Sequence, residues 1–386
     1  MKTILGIALV SNLLSMNSTP VNSETNTDTG IILNSQSALL LDYNSGEILY
    51  EKNVNDRLKP ASMTKMMGLY LVMEAIENNY IKFEDKVSCS LEASQIGGSQ
   101  IYLKENEKMS IDDLIKSVCI ASANDAMYLL GEVVGGSNNQ FVKMMNDKAK
   151  EFELKNTNFT NVMGFDDDNH YSSALDMGII AHNLLKEYGD TILKYTSMTE
   201  DYLREDSSNP FWLVNTNKLL GDYEGLDGLK TGYTHQSKYC LTATAKRDNL
   251  RLIAVAMNVE TIKERSSDIK TLLNYGFNNY KSVKIFSKNE LLLKAEFKNS
   301  RNDLDNVYIK DDIYITLPIK DSNDSYEYTY TLNIDSAPIK NNEVVGTIEI
   351  YNSNGMIFIG ELVVGEDIKT INWFEYFWNV FKSLFV

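Results

Sequence analysis

Apolar residues change their spacing several times along the chain, and each change marks a different element. Short apolar runs at 38–42 and 47–50 flank the turn Asn44-Ser45-Gly46 and predict a β-hairpin. Helical spacing of apolar residues predicts helices over 63–77 and 111–134. A second hairpin is predicted from 239–246 and 250–258 across Arg247-Asp248-Asn249. Strands at both ends with helices between them define an α+β domain over 34–280. From 283 to 368 the pattern becomes short alternating strands, such as 325–332 and 344–350, separated by Asn, Asp, Ser and Gly. That texture predicts a small all-β domain. No internal repeat points to a solenoid.

The two ends read differently from the body. Lys2, the apolar run 4–14 and the small residues Val21-Asn22-Ser23 match an export signal over 1–23, with cleavage before Glu24. Over 371–386 the polar residues Asn372, Glu375, Tyr376, Asn379, Lys382 and Ser383 recur every three or four positions among Trp, Phe, Leu, Ile and Val. This is an amphipathic helix, shorter than the roughly 20 residues that span a bilayer. Its aromatic-rich face is expected to lie in the plane of a membrane surface.

Composition narrows the chemistry. The chain has 386 residues, enough for two domains. Its 53 acidic against 37 basic residues give a net charge of -16, with no basic block, which argues against nucleic-acid binding. Three histidines and three cysteines, without C-x-x-C or H-E-x-x-H spacing, leave little for a zinc site.

Three short motifs carry the candidate chemistry. In Pro60-Ala61-Ser62-Met63-Thr64-Lys65 a serine and a lysine stand three residues apart at a helix start, so both side chains share one face. A serine hydroxyl needs a base, and a lysine whose ammonium form is disfavoured by burial or a nearby cation can serve. Taken alone, the same pattern reads as a capping serine beside a solvated lysine. Ser122-Ala123-Asn124, 60 residues further on, sets two polar side chains in an apolar helical stretch. Lys230-Thr231-Gly232-Tyr233-Thr234 leads into the second hairpin, and Gly232 lets another backbone approach closely.

In this order the three motifs resemble those of the serine D-alanyl-D-alanine carboxypeptidases, the low-molecular-mass penicillin-binding proteins. Gly97-Gly98-Ser99, Leu103-Lys104, Asp125-Ala126, Met145-Asn146, Asn156-Thr157, His170-Tyr171-Ser172 and Asp227-Gly228-Leu229 extend the resemblance. Ala337-Pro338-Ile339 and Val344-Val345-Gly346 carry it into the second domain, and the tail is similar to the family's membrane anchor.

The resemblance implies a β-lactamase/transpeptidase-like fold, an antiparallel sheet with flanking helices. It implies that Ser62 attacks the bond between the last two D-alanines of a peptidoglycan stem peptide, with Lys65 as general base. Ser122 then passes a proton to the leaving amine and Asn124 holds the substrate backbone. Lys230, Thr231 and Thr234 gather at the terminal carboxylate, and the N–H groups of Ser62 and Tyr233 form the oxyanion hole. Gly232 belongs to the same strand. β-Lactams are expected to acylate Ser62, and no cofactor or metal is required. The protein is expected to be exported to the outer face of the bacterial cytoplasmic membrane. A D,D-transpeptidase or endopeptidase uses the same acyl-enzyme and stays open as an alternative. A silent wall-binding or β-lactam-sensing protein is the reading from another class, and the intact motifs argue against it.

Some residues depart from the pattern. Ala123 stands where many relatives have Gly, and Thr216 where some have an Arg that binds the substrate carboxylate, a task Lys218 could take over. His235 and Lys238 also differ. Cys119 and Cys240 flank two of the motifs and read as small core residues. Glu153 to Asn156 only faintly resembles the water-activating segment of class A β-lactamases. The acidic run Asp166-Asp167-Asp168 lacks calcium-loop spacing.

Overall fold

The computed structural model describes residues 30–320, 326–352 and 355–371. The predicted export signal over 1–23 and the predicted amphipathic helix over 371–386, apart from Ile371, lie outside them. The chain divides at Asn279 and Tyr280 into two compact units.

The first unit is built on five antiparallel strands: β1 (Ser37–Asp42), β2 (Ile48–Lys52), β3 (Leu226–Thr234), β4 (Lys238–Arg247) and β5 (Leu250–Val259). They run β2-β1-β5-β4-β3, which leaves β3 at one edge. All six residues of β1 are buried. The glycines of two helices explain why. Gly178 of α5 (Ala174–Thr196) closes on Leu39 and Leu41, while Gly276 of α6 (Ile262–Asn279) closes on Leu40 and Leu252. Alternate residues of one strand thus meet helices on opposite faces, so the strand reads as a continuous apolar run instead of alternating.

Four further helices of ten or more residues stack on the α5 side. They are α1 (Lys65–Glu77), α2 (Ile111–Ile120), α3 (Asn124–Gly135) and α4 (Asn138–Glu151). Helix α1 is buried all round and packs against α3, α4 and α5, as expected of a core helix. Ser110, Ser137 and Ser173 cap α2, α4 and α5 by accepting a hydrogen bond from the N–H three residues on. Each such cap contributes about 1 kcal/mol.

Two predicted elements differ in a way that matters for the site. The helix expected over 63–77 begins with a 3-10 turn, Ala61–Thr64, before α1. The single helix expected over 111–134 is two helices, broken at 121–123, where Ser122 takes a left-handed backbone (φ 59°). Apolar spacing hides this break because α2 and α3 both face one core, from Leu114 and Ile115 to Met127 and Leu130.

The second unit is all-β. Its five-stranded antiparallel sheet runs Leu291–Ala295, Asp305–Ile309, Gly355–Val364, Val344–Asn352, Glu327–Leu332. A two-stranded sheet pairs Tyr280–Phe286 with Ile313–Pro318. Val307, Ile309, Ile315, Val345, Ile348 and Leu362 form its core. Exposure alternates strictly along Glu327–Leu332, the edge-strand signature that made this unit legible. No helix among the described residues is long and apolar enough to cross a membrane.

Candidate active site

Ser62 sits in the 3-10 turn and is half-buried. The turn is fixed from below by the loop 158–165. Gly164 takes φ 87°, and a Cβ there would lie 1.9 Å from the carbonyl oxygen of Ala61. Only glycine fits such a contact. The Asn161 side chain shapes the loop by accepting from the N–H groups of Gly164 and Phe165. A buried histidine locks the turn from behind. His170 Nδ1 accepts from the Thr160 N–H, so its proton lies on Nε2, which donates to Thr64 Oγ1 at 2.8 Å.

Lys65 is completely buried, and its Nζ lies 2.8 Å from Ser62 Oγ, 2.7 Å from Asn124 Oδ1 and 3.1 Å from the Met163 carbonyl. Three oxygen acceptors thus hold one nitrogen in place. Burial drives its pKa well below that of an ordinary lysine, the nearby Lys230 ammonium adds to the fall, and Asp125 opposes it.

The helix break supplies the second group. Its left-handed backbone turns Ser122 toward the sheet edge, where Lys230 Nζ donates to Ser122 Oγ at 2.8 Å. Burial lowers the Lys230 pKa to about 7, with Arg265 adding to the fall and Cys119 opposing it. Asn124 donates through Nδ2 to the Gly97 carbonyl, and its backbone N–H donates to the Ser99 carbonyl. Asp125 accepts from the N–H groups of Ile101 and Leu103, tying segment 97–103 to α3 as the opposite wall.

Strand β3 forms the other wall. Gly232 faces the 3-10 turn so closely that a Cβ would meet the Pro60 carbonyl at 2.7 Å. The Thr231 and Thr216 hydroxyls share a hydrogen bond of 2.7 Å. The Thr216 segment is pinned by Asn215 on the Met198 carbonyl, Asn217 on the Gly228 carbonyl and the Thr216 N–H on the Ile120 carbonyl. Lys218 is exposed and donates to the Asn215 carbonyl.

The structure therefore brings Ser62, Lys65, Ser122, Asn124, Lys230, Thr231 and Gly232 together, with Tyr233 half-exposed at the cleft mouth. Thr234 is set apart from them. Its hydroxyl donates to Asp166 Oδ1 at 2.6 Å and hydrogen-bonds Ser237. Cys89, Cys119 and Cys240 are buried and free, and Cys119 has its pKa raised to about 12 by burial. Reading the sequence missed Gly164, the contact of His170 with Thr64 and the pairing of Thr216 with Thr231. Of these, only the Asn161-x-x-Gly164 turn pattern left a local trace.

Residues 23–261 match the family model described as D-alanyl-D-alanine carboxypeptidase, and 280–370 match that of the penicillin-binding protein 5 C-terminal domain. The D-alanyl-D-alanine carboxypeptidase DacF of Bacillus subtilis (strain 168) is 40% identical over 354 residues, 90% of each chain. Penicillin binding protein 5 from Haemophilus influenzae is a structural neighbour with TM-score 0.72 and 32% identity, covering 88% of this chain and 98% of that one. Penicillin-Binding Protein D2 from Listeria monocytogenes, solved in its cefotaxime-bound form, matches with TM-score 0.58 and 31% identity over 64% of this chain and 98% of its own. Fold and likeness together define a serine hydrolase of the penicillin-binding class. The chain belongs to the D-alanyl-D-alanine carboxypeptidase family.

Proposed function

We propose that Ser62 is the nucleophile by which this D,D-carboxypeptidase removes the terminal D-alanine of a peptidoglycan stem peptide. The observation that carries the proposal is the fully buried Lys65 Nζ at 2.8 Å from Ser62 Oγ. Burial favours the neutral amine, which takes the hydroxyl proton as Oγ bonds to the carbonyl carbon between the two D-alanines. The N–H groups of Ser62 and Tyr233 stabilise the oxyanion. When the carbon–nitrogen bond breaks, the departing amine takes a proton through Ser122, which Lys230 orients. Water then attacks the ester with Lys65 as base, and the shortened peptide leaves. Asn124 holds the substrate backbone, while Lys230, Thr231 and the Thr216 hydroxyl receive the terminal carboxylate.

β-Lactams acylate the same serine as substrate mimics. We further read 371–386 as an amphipathic anchor that keeps the enzyme on the outer face of the cytoplasmic membrane, with 34–280 catalytic and 283–368 a β-rich spacer.

The test is mass spectrometry of a muropeptide bearing a pentapeptide, incubated with the protein and with Ser62→Ala. Loss of one D-alanine that disappears in Ser62→Ala is the expected result. Cross-linked or cleaved dimers would point to transpeptidation or endopeptidation instead. Co-sedimentation with lipid vesicles, lost on truncation before Ile371, tests the anchor.

A further inference from the structure

A cavity of about 430 Å³ opens at the end of β3, beyond the catalytic residues. The chain leading to Ser62 contributes Arg57 and Lys59, the turn after β3 contributes Gln236 and Ser237, and β5 contributes Asn258. We propose that this cavity is a subsite for a free carboxylate of the stem peptide, upstream of the bond that is cut. The proposal rests on the catalytic reading above, because that reading fixes the direction of the substrate.

With the terminal carboxylate at Lys230 and Thr231 and the acyl carbon at Ser62, opposite Gly232 and Tyr233, the preceding residues run toward Thr234 and the turn. An extended peptide advances about 3.3–3.6 Å per residue, so a group two or three residues upstream lies roughly 7–10 Å from the acyl carbon. The strand beside it ends at Thr234, and the turn 235–237 that follows brings Gln236 and Ser237 to the cavity.

Neither cation of the cavity forms a salt bridge among the described residues. Arg57 donates its Nε–H to the Asn156 side-chain oxygen at 3.1 Å, and Lys59 donates to the Asp167 backbone carbonyl. Both acceptors are neutral, so neither cation has its charge compensated there. Among the lining residues Asp168 is the one carboxylate, against two cations, with Asp166 and Asp167 before it on the same loop. In a protein of net charge -16, a positive cavity beside the active site is set to attract an anion. The Arg57 guanidinium lies over the Tyr171 ring, 4.9 Å from its centroid, which holds its plane for two parallel hydrogen bonds to a carboxylate. Stem peptides offer one at this distance, the α-carboxylate of the D-glutamate joined to the chain through its γ-carbonyl.

The experiment compares three substrates on the full-length protein: L-Ala-γ-D-Glu-L-Lys-D-Ala-D-Ala, the same peptide with the glutamate α-carboxylate amidated, and diacetyl-L-Lys-D-Ala-D-Ala. The carboxylate peptide is expected to exceed its amide in kcat/KM by about tenfold, the scale of one charged hydrogen-bonded pair, and the excess should shrink with added salt. Arg57→Gln should erase the difference, Arg57→Lys should retain part of it, and both should cleave the short substrate at the original rate. Equal rates on carboxylate and amide, or a preference that survives Arg57→Gln, would overturn the subsite. Failure of the protein to release D-alanine from all three substrates would instead overturn the catalytic reading.

Discussion

Lys230 on the sheet edge and Ser122 in the helix break share a hydrogen bond of 2.8 Å, joining residues 108 positions apart across the cleft. Ser122→Ala would leave the Lys230 ammonium with only the Thr231 carbonyl among its present partners. We expect acylation by a fluorescent penicillin to slow by about 10²–10⁴-fold, the usual range for losing a positioned proton-transfer group. A rate within threefold of the original would remove Ser122 from the proton path.

With Lys65 as the proposed base, its lowered pKa should set the acidic limb of the pH–rate profile. Activity rises with pH as Lys65 loses its proton, and the limb should lie well below the ordinary lysine value of 10.5. Because Lys230 helps to depress that pKa, Lys230→Gln should move the limb to higher pH while lowering the maximum rate. A limb that stays in place in Lys230→Gln would show that burial alone tunes the base.

His170 makes folding sensitive to acid. Burial lowers its pKa from 6.5 to about 4, with Lys59 adding to the effect. Below pH 6.5 the unfolded chain therefore binds a proton that the folded one refuses, and stability falls until pH reaches about 4. Denaturant melts between pH 7 and 4 should show this loss, and it should be smaller in His170→Gln. An identical slope in that variant would assign the acid sensitivity to other groups.

Gly164→Ala should disturb the nucleophile without touching a catalytic side chain. The added Cβ meets the Ala61 carbonyl oxygen at 1.9 Å on a backbone that already favours glycine. A loss of at least about 2 kcal/mol in stability is expected, the scale of overpacking and backbone strain combined. Slower acylation of Ser62 should accompany it at temperatures where the protein stays folded. An unchanged melting temperature would mean that the loop can retreat from the turn.

Thr216→Val removes the hydroxyl paired with Thr231 and keeps the shape. If both hydroxyls receive the terminal carboxylate, KM should rise by roughly three- to tenfold with kcat nearly intact, the size of one hydrogen bond. Equal falls in kcat and kcat/KM would instead place Thr216 in the acylation step.

The sequence exposed what depends on local spacing. Ser62 and Lys65 stand one helical turn apart, and the alternation along Glu327–Leu332 is visible by eye. The break at Ser122 was hidden because apolar residues on both sides of it serve a single core. The contact of Thr234 with Asp166 was equally illegible, because Asp166 arrives from a loop 68 residues earlier. The support from His170 and Gly164 was equally out of reach, since their partners Thr64 and Ala61 lie about 100 residues away in the chain.

The pairing of β1 with β5 has a consequence for how the enzyme comes into being. Leu40 lies opposite Ala254, so the sheet that aligns Lys230 is completed only by the last strand of its unit. A polypeptide emerging in order from its N-terminus presents Ser62 long before it can present the lysine and the edge strand that make that serine reactive. On the catalytic reading proposed above, until some 200 further residues have followed it carries an ordinary alcohol that neither a stem peptide nor a β-lactam can use. The unfinished enzyme is thereby both harmless to the wall and blind to the drug.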